Sequence, residues 1–540
     1  MRTLYHGSTH NAGRRDFLRL AAAAGLLAQL PRGFADVSAD DAWMSSFNEA
    51  LAAEPWLKAF RSATQPAYAA NAELAGQLPA GLTGTLYRNG PARHDIAGYR
   101  YHHWFDGDGM LQAWNFSQAG VTHKSRMIET NKYQAEIAAG RALYPGFGSV
   151  PPNPAPVSSS DAVNVANISV LPHHGKLLAL WEAGSPWEMN PDDLSTVGIH
   201  SFNEDTDGVP FSAHPRVEPD GTLWNFGYVS GAGLIALWHI DPAGYLVKAG
   251  TVKVEPMTMP HDFLVTSRHI VLLLPPLHYR PEGEFRSFMD AHVWEPDLPT
   301  RVLVVDKNDF SKVQWLELPA QWVFHFGNAW EDAQGVIHFD AARAPDPMAM
   351  INTFRDVMRG IRSPSSPSLH YRYRIDTTRR TVTEEAIFNL GFDTEFPVID
   401  PRVSTQRSHR LVMLCSDARK PASHPMLSGV AVFDDRQEKL VTFRYPDHQI
   451  PEEHLFVAAP GSEPEAAGWI VGTALDVKRD RTLLILFELE RLPGAEIASI
   501  LKMPEAAVWA ALTRARARFR AAFEKRWGDR HSTGVDSVLR

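Results

Sequence analysis

Of the 23 histidines in the chain, three stand in unusual company. His214 lies in "FSAHPRVEPDG", His261 in "MPHDFLVTSRHIVLLL" and His325 in "WVFHFGNAWED". Each adjoins an apolar or aromatic run of strand character. A single imidazole in such a place is ordinarily a satisfied core residue. Three together suit a metal, because a neutral ring offers one nitrogen lone pair to an ion. Their spacings of 47 and 64 residues exclude a zinc-finger loop and an i, i+4 pair on one helix. They fit ligands delivered one per strand to a common axis. Imidazole serves iron, copper, zinc and nickel alike, so donor type leaves the metal open. Cys415 is the single cysteine, which rules out an internal disulfide and a thiolate cluster.

A ligating histidine donates its other ring N–H to a carboxylate or a carbonyl. Three glutamates have apolar neighbours that would make an unpaired carboxylate costly. They are Glu182 in "LLALWEAGSPW", Glu395 in "GFDTEFPVIDPR" and Glu453 in "IPEEHLFVAAP", where Glu452 is adjacent. For each one the plain alternative is a solvated glutamate at a strand end.

The elements that must position these residues are short. Between about residues 60 and 485, apolar runs recur, each closed by Gly, Pro, Asn or Asp. "KLLALWEAG", "GTLWNFGYVSG", "TRVLVVDKND", "HRLVMLCSD" and "GWIVGTALD" are examples. Such runs predict strands. Helical periodicity is scarce, and Gln134 to Leu143 and Pro347 to Gly360 carry the best of it. Many strands at short intervals predict an all-β closed structure: a sandwich, a barrel or a propeller. The 15 Trp and 27 Phe suit a core or a tunnel for an apolar, conjugated ligand.

The N-terminus reads "GRRDFLRLAAAAGLLAQLPRGFADVSADD". Arg14 and Arg15, the apolar run Leu20 to Leu30 and the small-residue exit at Gly33 to Ala35 resemble a twin-arginine export signal. Residues 1–35 are expected to be that signal, and the mature protein to be periplasmic. The plain alternative is an N-terminal amphipathic helix.

Taken in order, "GTLYRNGPAR", "HHWFDGDGMLQAW", "LLALWEAGSPWEMNPDDLSTVG", "FSAHPRV", "MPHDFLVT", "VFHFGNAWED" and "DTEFPVIDPR" resemble the carotenoid cleavage oxygenase family, which includes the lignostilbene dioxygenases. The resemblance runs from about Leu82 to about Thr482. It implies a seven-bladed β-propeller over residues 36–486 with Fe(II) on its axis, held by four histidines and no carboxylate. His214, His261 and His325 match three of those ligands, and Glu182, Glu395 and Glu453 match the glutamates behind them. Asp106 and Asp108 of "HWFDGDGM" read as turn formers in a tight hairpin rather than as ligands.

The implied reaction takes O₂ and an apolar conjugated alkene and splits the C=C into two carbonyl products without an external reductant. A carotenoid or apocarotenoid is the default substrate, and its apolar character would allow peripheral contact with a membrane. A stilbene is the alternative, because stilbene cleavers of the family use a Lys and a Tyr to engage a phenolic hydroxyl. Lys132 in "ETNKYQAE" and Tyr101 in "YRYHHW" fall at such positions. A lysine there would favour phenolate character. The plain alternative for Lys132 is a solvent-exposed charge at a helix start. A propeller that binds its ligand without turnover is a further alternative.

The family's fourth histidine belongs to a Phe-His-Gly-type segment on a last strand, and no such segment follows "RTLLIL". The chain continues instead as "FELERLPGAEIASILKMPEAAVWAALTRARARFRAAFEKRW". Pro504 opens a long helix on which Val508, Leu512, Ala515 and Phe519 share a face and four arginines lie elsewhere. Two helices around a tight turn, the second basic, form a DNA-reading arrangement. The tail, residues 487–540, resembles the helix-turn-helix region of extracytoplasmic-function sigma factors. A basic helical cap on the body is its plain alternative. A net charge of -9 and the export signal weigh against DNA as a partner. The expectation is a helical tail in place of the last strand, joined somewhere in Thr482 to Leu492. His531 is then the weak remaining candidate for a fourth ligand.

Overall fold

The computed structural model describes residues 40–75, 78–280, 287–387 and 392–489. The expected export signal, the tail beyond Leu489 and His531 lie outside the described residues. No helix among them is long and apolar enough to cross a membrane. They fall into two compact units. The first runs up to Asn389 and takes in Ser404–Arg407, and the second takes Leu390–Val403 and continues from Ser408.

The first unit holds five four-stranded antiparallel sheets. Three of them bear on the histidines. One runs Arg216–Val217, Leu223–Val229, Leu234–Ile240, Leu246–Lys253. The next is Leu264–Val265, His269–Leu274, Thr300–Asp306, Val313–Leu318, and the last is Trp322–Glu331, Val336–Ala344, Leu369–Asp376, Thr381–Ala386. The second unit holds a four-stranded sheet from Phe392–Val398 to Lys439–Arg444. It also holds a sheet of three described strands, Gln449–Ala458, Gly468–Asp476 and Arg481–Leu489. That last strand pairs with its neighbour along its full length to Leu489, so residues 487–489, expected to open a helical tail, continue the strand instead, because they pair with Gly468–Ile470 in the ladder.

The reason these strands read as unbroken apolar runs lies in their packing. In His269–Leu274, Ile270, Leu272 and Leu274 enter one core, while Val271 and Leu273 enter another. Thr300–Asp306 repeats this, with Leu303 and Val305 on one side and Val302 and Val304 on the other. Leu234–Ile240 sends Ile235 and Leu237 to the first of those cores and Ala236, Trp238 and Ile240 to a third. Side chains alternate across a strand, so a sheet packed on both faces needs apolar residues at every position.

Helices are few. Asn131–Ala139 starts earlier than the expected Gln134, because the Thr130 hydroxyl caps it by accepting the Tyr133 N–H at 3.2 Å. It ends at Gly140, which adopts the left-handed conformation with φ 63°. The expected 347–360 helix is present as one unbroken helical segment, Ala349–Thr353 with π spacing, then Phe354–Asp356 and a closing tight turn Val357–Arg359, ended by Gly360 at φ 79°. The helix Asp40–Ala53 has no counterpart among the sequence-based expectations. It is fixed by Phe47, which lies 3.4 Å under the Arg100 guanidinium, and by Ser46 donating to the Arg359 carbonyl at 2.7 Å.

Leu272 is fully buried between sheets. Leu272→Ala is expected to lower unfolding free energy by about 2–5 kcal/mol, whereas Tyr245→Ala, at a site 69 % exposed, should change it by less than about 0.5 kcal/mol. Denaturant melts of the two variants check this.

Candidate metal centre

His214, His261 and His325 come together in the first unit, with donor nitrogens all within 4.8 Å of one another. Nε2 of His214 lies 2.9 Å from Nε2 of His261. The ring centroids are 4.5 to 5.2 Å apart. His214 precedes the innermost strand of its sheet by two residues, and His261 precedes its own by three. His325 sits inside Trp322–Glu331, where the register slips between Val323 and Phe326. Such a bulge re-aims a side chain that strict alternation would place elsewhere. Burial first, then the neighbouring His261 and His325 rings, hold the His214 imidazole well below its usual pKa. It is therefore neutral at pH 7, as a ligand must be.

Two sets of contacts support the cluster. Glu182 Oε2 lies 2.5 Å from His261 Nδ1, and Glu182 Oε1 accepts the Tyr228 hydroxyl at 2.5 Å. A carboxylate on Nδ1 keeps the proton there and leaves the Nε2 lone pair facing the other rings. Burial and the Glu182 charge push the Tyr228 hydroxyl well above its usual pKa, so it remains a donor. The second set is Arg216 and Asp262. Arg216 Nη2 donates to both Asp262 oxygens at 2.8 and 2.6 Å, and Arg216 Nε donates to the Phe263 carbonyl at 2.9 Å. Asp262 Oδ2 accepts the Phe326 N–H at 2.9 Å, and Arg216 Nη1 donates to the Gly327 carbonyl at 3.2 Å. This pair ties together the backbone next to all three histidines. Gly327 has no room for a side chain, since a Cβ would fall 2.1 Å from Asp340 Oδ1. Tyr228, Arg216 and Asp262 are absent from the sequence-based candidates, although "HPRV" and "HDF" contain two of them.

Glu395 and Glu453 belong to the second unit. Both are half-buried on innermost strands, at register slips between Glu395 and Val398 and between Pro451 and His454. Phe396, next to Glu395, has φ 55°. Glu452 is exposed and accepts the Thr473 hydroxyl. His454 is buried, with Nε2 2.8 Å from the Tyr445 hydroxyl and Nδ1 2.6 Å from the Glu452 carbonyl. Among the described residues the group that could hold a metal ion is His214, His261 and His325.

Lys132 and Tyr101 also meet. Lys132 is buried at 2 % exposure, which overturns the solvent-exposed alternative, and its Nζ donates to the Tyr101 hydroxyl at 2.8 Å. Both line a narrow cavity with Phe105, Phe147, Tyr144 and Trp181, so a substrate must widen it to enter. Aromatic rings lead from it to the histidines: Phe105 lies 6.5 Å from Phe324, which packs edge-on to His261 at 5.3 Å. Asp106 and Asp108 do not form the expected hairpin. Asp106 closes a single short turn, Trp104–Asp106, and accepts the N–H groups of Phe147 and Gly148 and the Ser149 hydroxyl. Asp108 begins a strand and accepts from Arg93 and Lys132. The glycine after it is required by a close approach, since a Cβ on Gly109 would fall 2.2 Å from the Ala166 carbonyl oxygen.

The donor set fits a first-row divalent metal: imidazole nitrogens at ligand spacing, with one tautomer fixed by a carboxylate. Comparison with known proteins agrees with the site. Residues 60–505 match the family described as retinal pigment epithelial membrane protein. The apocarotenoid-15,15'-oxygenase of Synechocystis sp. is 28% identical over 470 residues, covering 83% of this chain and 93% of that one. The isoeugenol monooxygenase of Pseudomonas nitroreducens is 25% identical over 448 residues, covering 80% and 91%. A solved cobalt-substituted Synechocystis apocarotenoid oxygenase superposes with a TM-score of 0.71 at 25% identity, covering 80% of this chain and 92% of that one. The fold is accordingly a mainly-β, seven-bladed propeller. Glu182→Gln is expected to weaken retention of added Co(II) or Fe(II) by roughly 10–100-fold, with Tyr228→Phe acting in the same direction and less. Metal content after equilibrium dialysis measures both.

Proposed function

The chain belongs to the retinal pigment epithelial membrane protein family, the carotenoid cleavage oxygenases, and on that premise we propose that it cleaves the C=C bond of an aromatic alkene bearing a phenolic hydroxyl, using O₂. The observation that carries this reading is the buried Lys132–Tyr101 pair on the wall of an aromatic cavity. A phenolic hydroxyl can exchange hydrogen bonds with this pair, whereas an aliphatic polyene end has none to offer.

His214, His261 and His325 would hold Fe(II), which when bound supplies the O₂ chemistry that turns an alkene into two carbonyl products. Glu182 keeps His261 in the ligating tautomer, and Tyr228 keeps Glu182 in place. Phe105, Phe147 and Trp181 provide the apolar walls that exclude water and align the flat substrate. Tyr101 and Lys132 take its hydroxyl and so fix how far along the cavity the double bond lies.

Cleavage of an apocarotenoid is the second reading, favoured by the 28% identity to the Synechocystis apocarotenoid-15,15'-oxygenase. Three histidines alone would hold iron less firmly than four, so turnover is expected to depend on added Fe(II). The two readings separate when iron-supplemented protein is given para-hydroxystilbene, isoeugenol and an apocarotenal in turn and the aldehyde products are identified. The phenolic reading expects aldehydes from a phenolic alkene and fails if only the apocarotenal is cleaved. Lys132→Met should lower kcat/KM on the phenolic alkene by roughly 10–100-fold, the worth of a hydrogen bond from a charged group. The same variant should lower turnover of the methyl ether by less, because an ether has no O–H to lose.

A further inference from the structure

Glu182 stands in a turn between strands, residues 181–184, and the turn is tied at both ends. At its start the Leu180 carbonyl accepts the Ile168 N–H at 3.1 Å, next to the pairing of Leu180 with Ser169. At its end Ser185 is held by two side chains of one short segment. Asp161 Oδ1 accepts the Ser185 N–H at 2.7 Å, and Asp161 Oδ2 accepts the Ser185 hydroxyl at 2.8 Å. Asn164 Nδ2 donates to the Ser185 carbonyl at 2.9 Å. Asp161, Asn164 and Ser185 are all buried. Gly184 permits the approach, since a Cβ there would fall 2.7 Å from Asn164 Nδ2 and 2.8 Å from Asp161 Oδ1. Without Asp161 the Ser185 N–H and hydroxyl would be buried donors in need of partners, and the turn would have to shift to find them.

The same two segments form part of the cavity. Val163 and Val165 flank Asn164 and line it, and Trp181 lines it next to Glu182. The Glu182 carboxylate reaches the other way, to His261 and Tyr228. Asp161 and Asn164 therefore anchor a turn that has one side chain on the cavity wall and the next on the metal centre. Hydrogen bonds fade beyond about 3.2 Å, so a displacement of the turn by about 1 Å is enough to lose the hold on His261.

Resting on the reading that His214, His261 and His325 hold the metal, we propose that Asp161 is a positioning residue for that centre. Its bonds go to Ser185 and Asn164 rather than to a histidine. Through Ser185 it fixes the turn so that Glu182 meets His261 Nδ1 while Trp181 keeps its place on the cavity wall.

The test is a Co(II) titration of the full chain at neutral pH, read by the visible absorption of the bound ion, whose form follows the arrangement of its ligands. A thermal melt of each variant accompanies it. Asp161→Ala should weaken Co(II) binding by roughly tenfold. It should also shift the absorption toward that of Glu182→Gln, because both changes take the carboxylate away from His261 Nδ1. Asp161→Asn should restore affinity and absorption, since an amide can accept from the Ser185 N–H and donate to the Ser185 hydroxyl oxygen. Ser185→Ala keeps the backbone bond and loses the hydroxyl bond. It should weaken binding by about threefold, and it carries the test should Asp161→Ala not fold. Either alanine variant, melting normally and binding Co(II) with the affinity and absorption of the unaltered protein, overturns the proposal. So does a folded Asp161→Asn as weak as Asp161→Ala, because charge and not hydrogen bonding would then be what matters. Both of those outcomes leave the metal centre standing, whereas failure of the unaltered protein to take up Co(II) removes that reading and the proposal with it.

Discussion

Three imidazole rings held with their donor nitrogens within 4.8 Å of one another are an unfavourable thing to build. Burial and then the other two rings hold His214 well below its usual pKa, so it takes no charge to ease the crowding. The nearest pair of nitrogens is 2.9 Å apart. Much of the surrounding structure serves to impose that arrangement. The Glu182–Tyr228 chain settles which nitrogen of His261 carries its proton. The half-buried Arg216 and the buried Asp262 together fix the backbone beside all three rings. A centre whose donors are already set needs little reorganisation when an ion arrives.

The division of labour between sheets and loops follows from the same need. The sheets are apolar on both faces, and each is locked by two cores, as Ile270 and Val271 show by entering different ones. Rigid sheets then carry the histidines at strand starts or at a bulge, where alternation is relaxed. The bulge at His325 and the register slips at Glu395 and Glu453 each fall on the first strand of a sheet.

Much of this is legible in the sequence, and for identifiable reasons. Apolar runs closed by Gly, Pro and Asp announce strands. His214, His261, His325 and Glu182 are conspicuous because their neighbours are apolar. What is not legible depends on partners far along the chain. Nothing local says that Lys132 is buried, because its burial is set by Tyr101, Asp108 and Arg93 from other elements. Asp106 and Asp108 look like turn residues because an Asp-Gly repeat is a local turn signal, yet their acceptors are used by Ser149, Arg93 and Lys132. Arg216 and Asp262 look like ordinary surface charges until the strands place them side by side. The helix Asp40–Ala53 escapes notice because its polar residues give it little apolar periodicity, and its docking rests on Phe47 meeting Arg100.

That helix has a consequence for the order of assembly. Its Ser46 bond to Arg359 spans 313 residues, and Trp43 stacks on His102 at 4.2 Å. The His102 N–H is bound by Ser149, which lines the cavity. Contacts so distant in sequence form only after the intervening chain has been made and closed into sheets. A segment that precedes all the sheets in the chain is therefore among the last to settle. Until residues beyond 350 exist, the outer wall of the ligand cavity lacks its backing, and a nascent chain halted before that point would carry strands but no finished pocket.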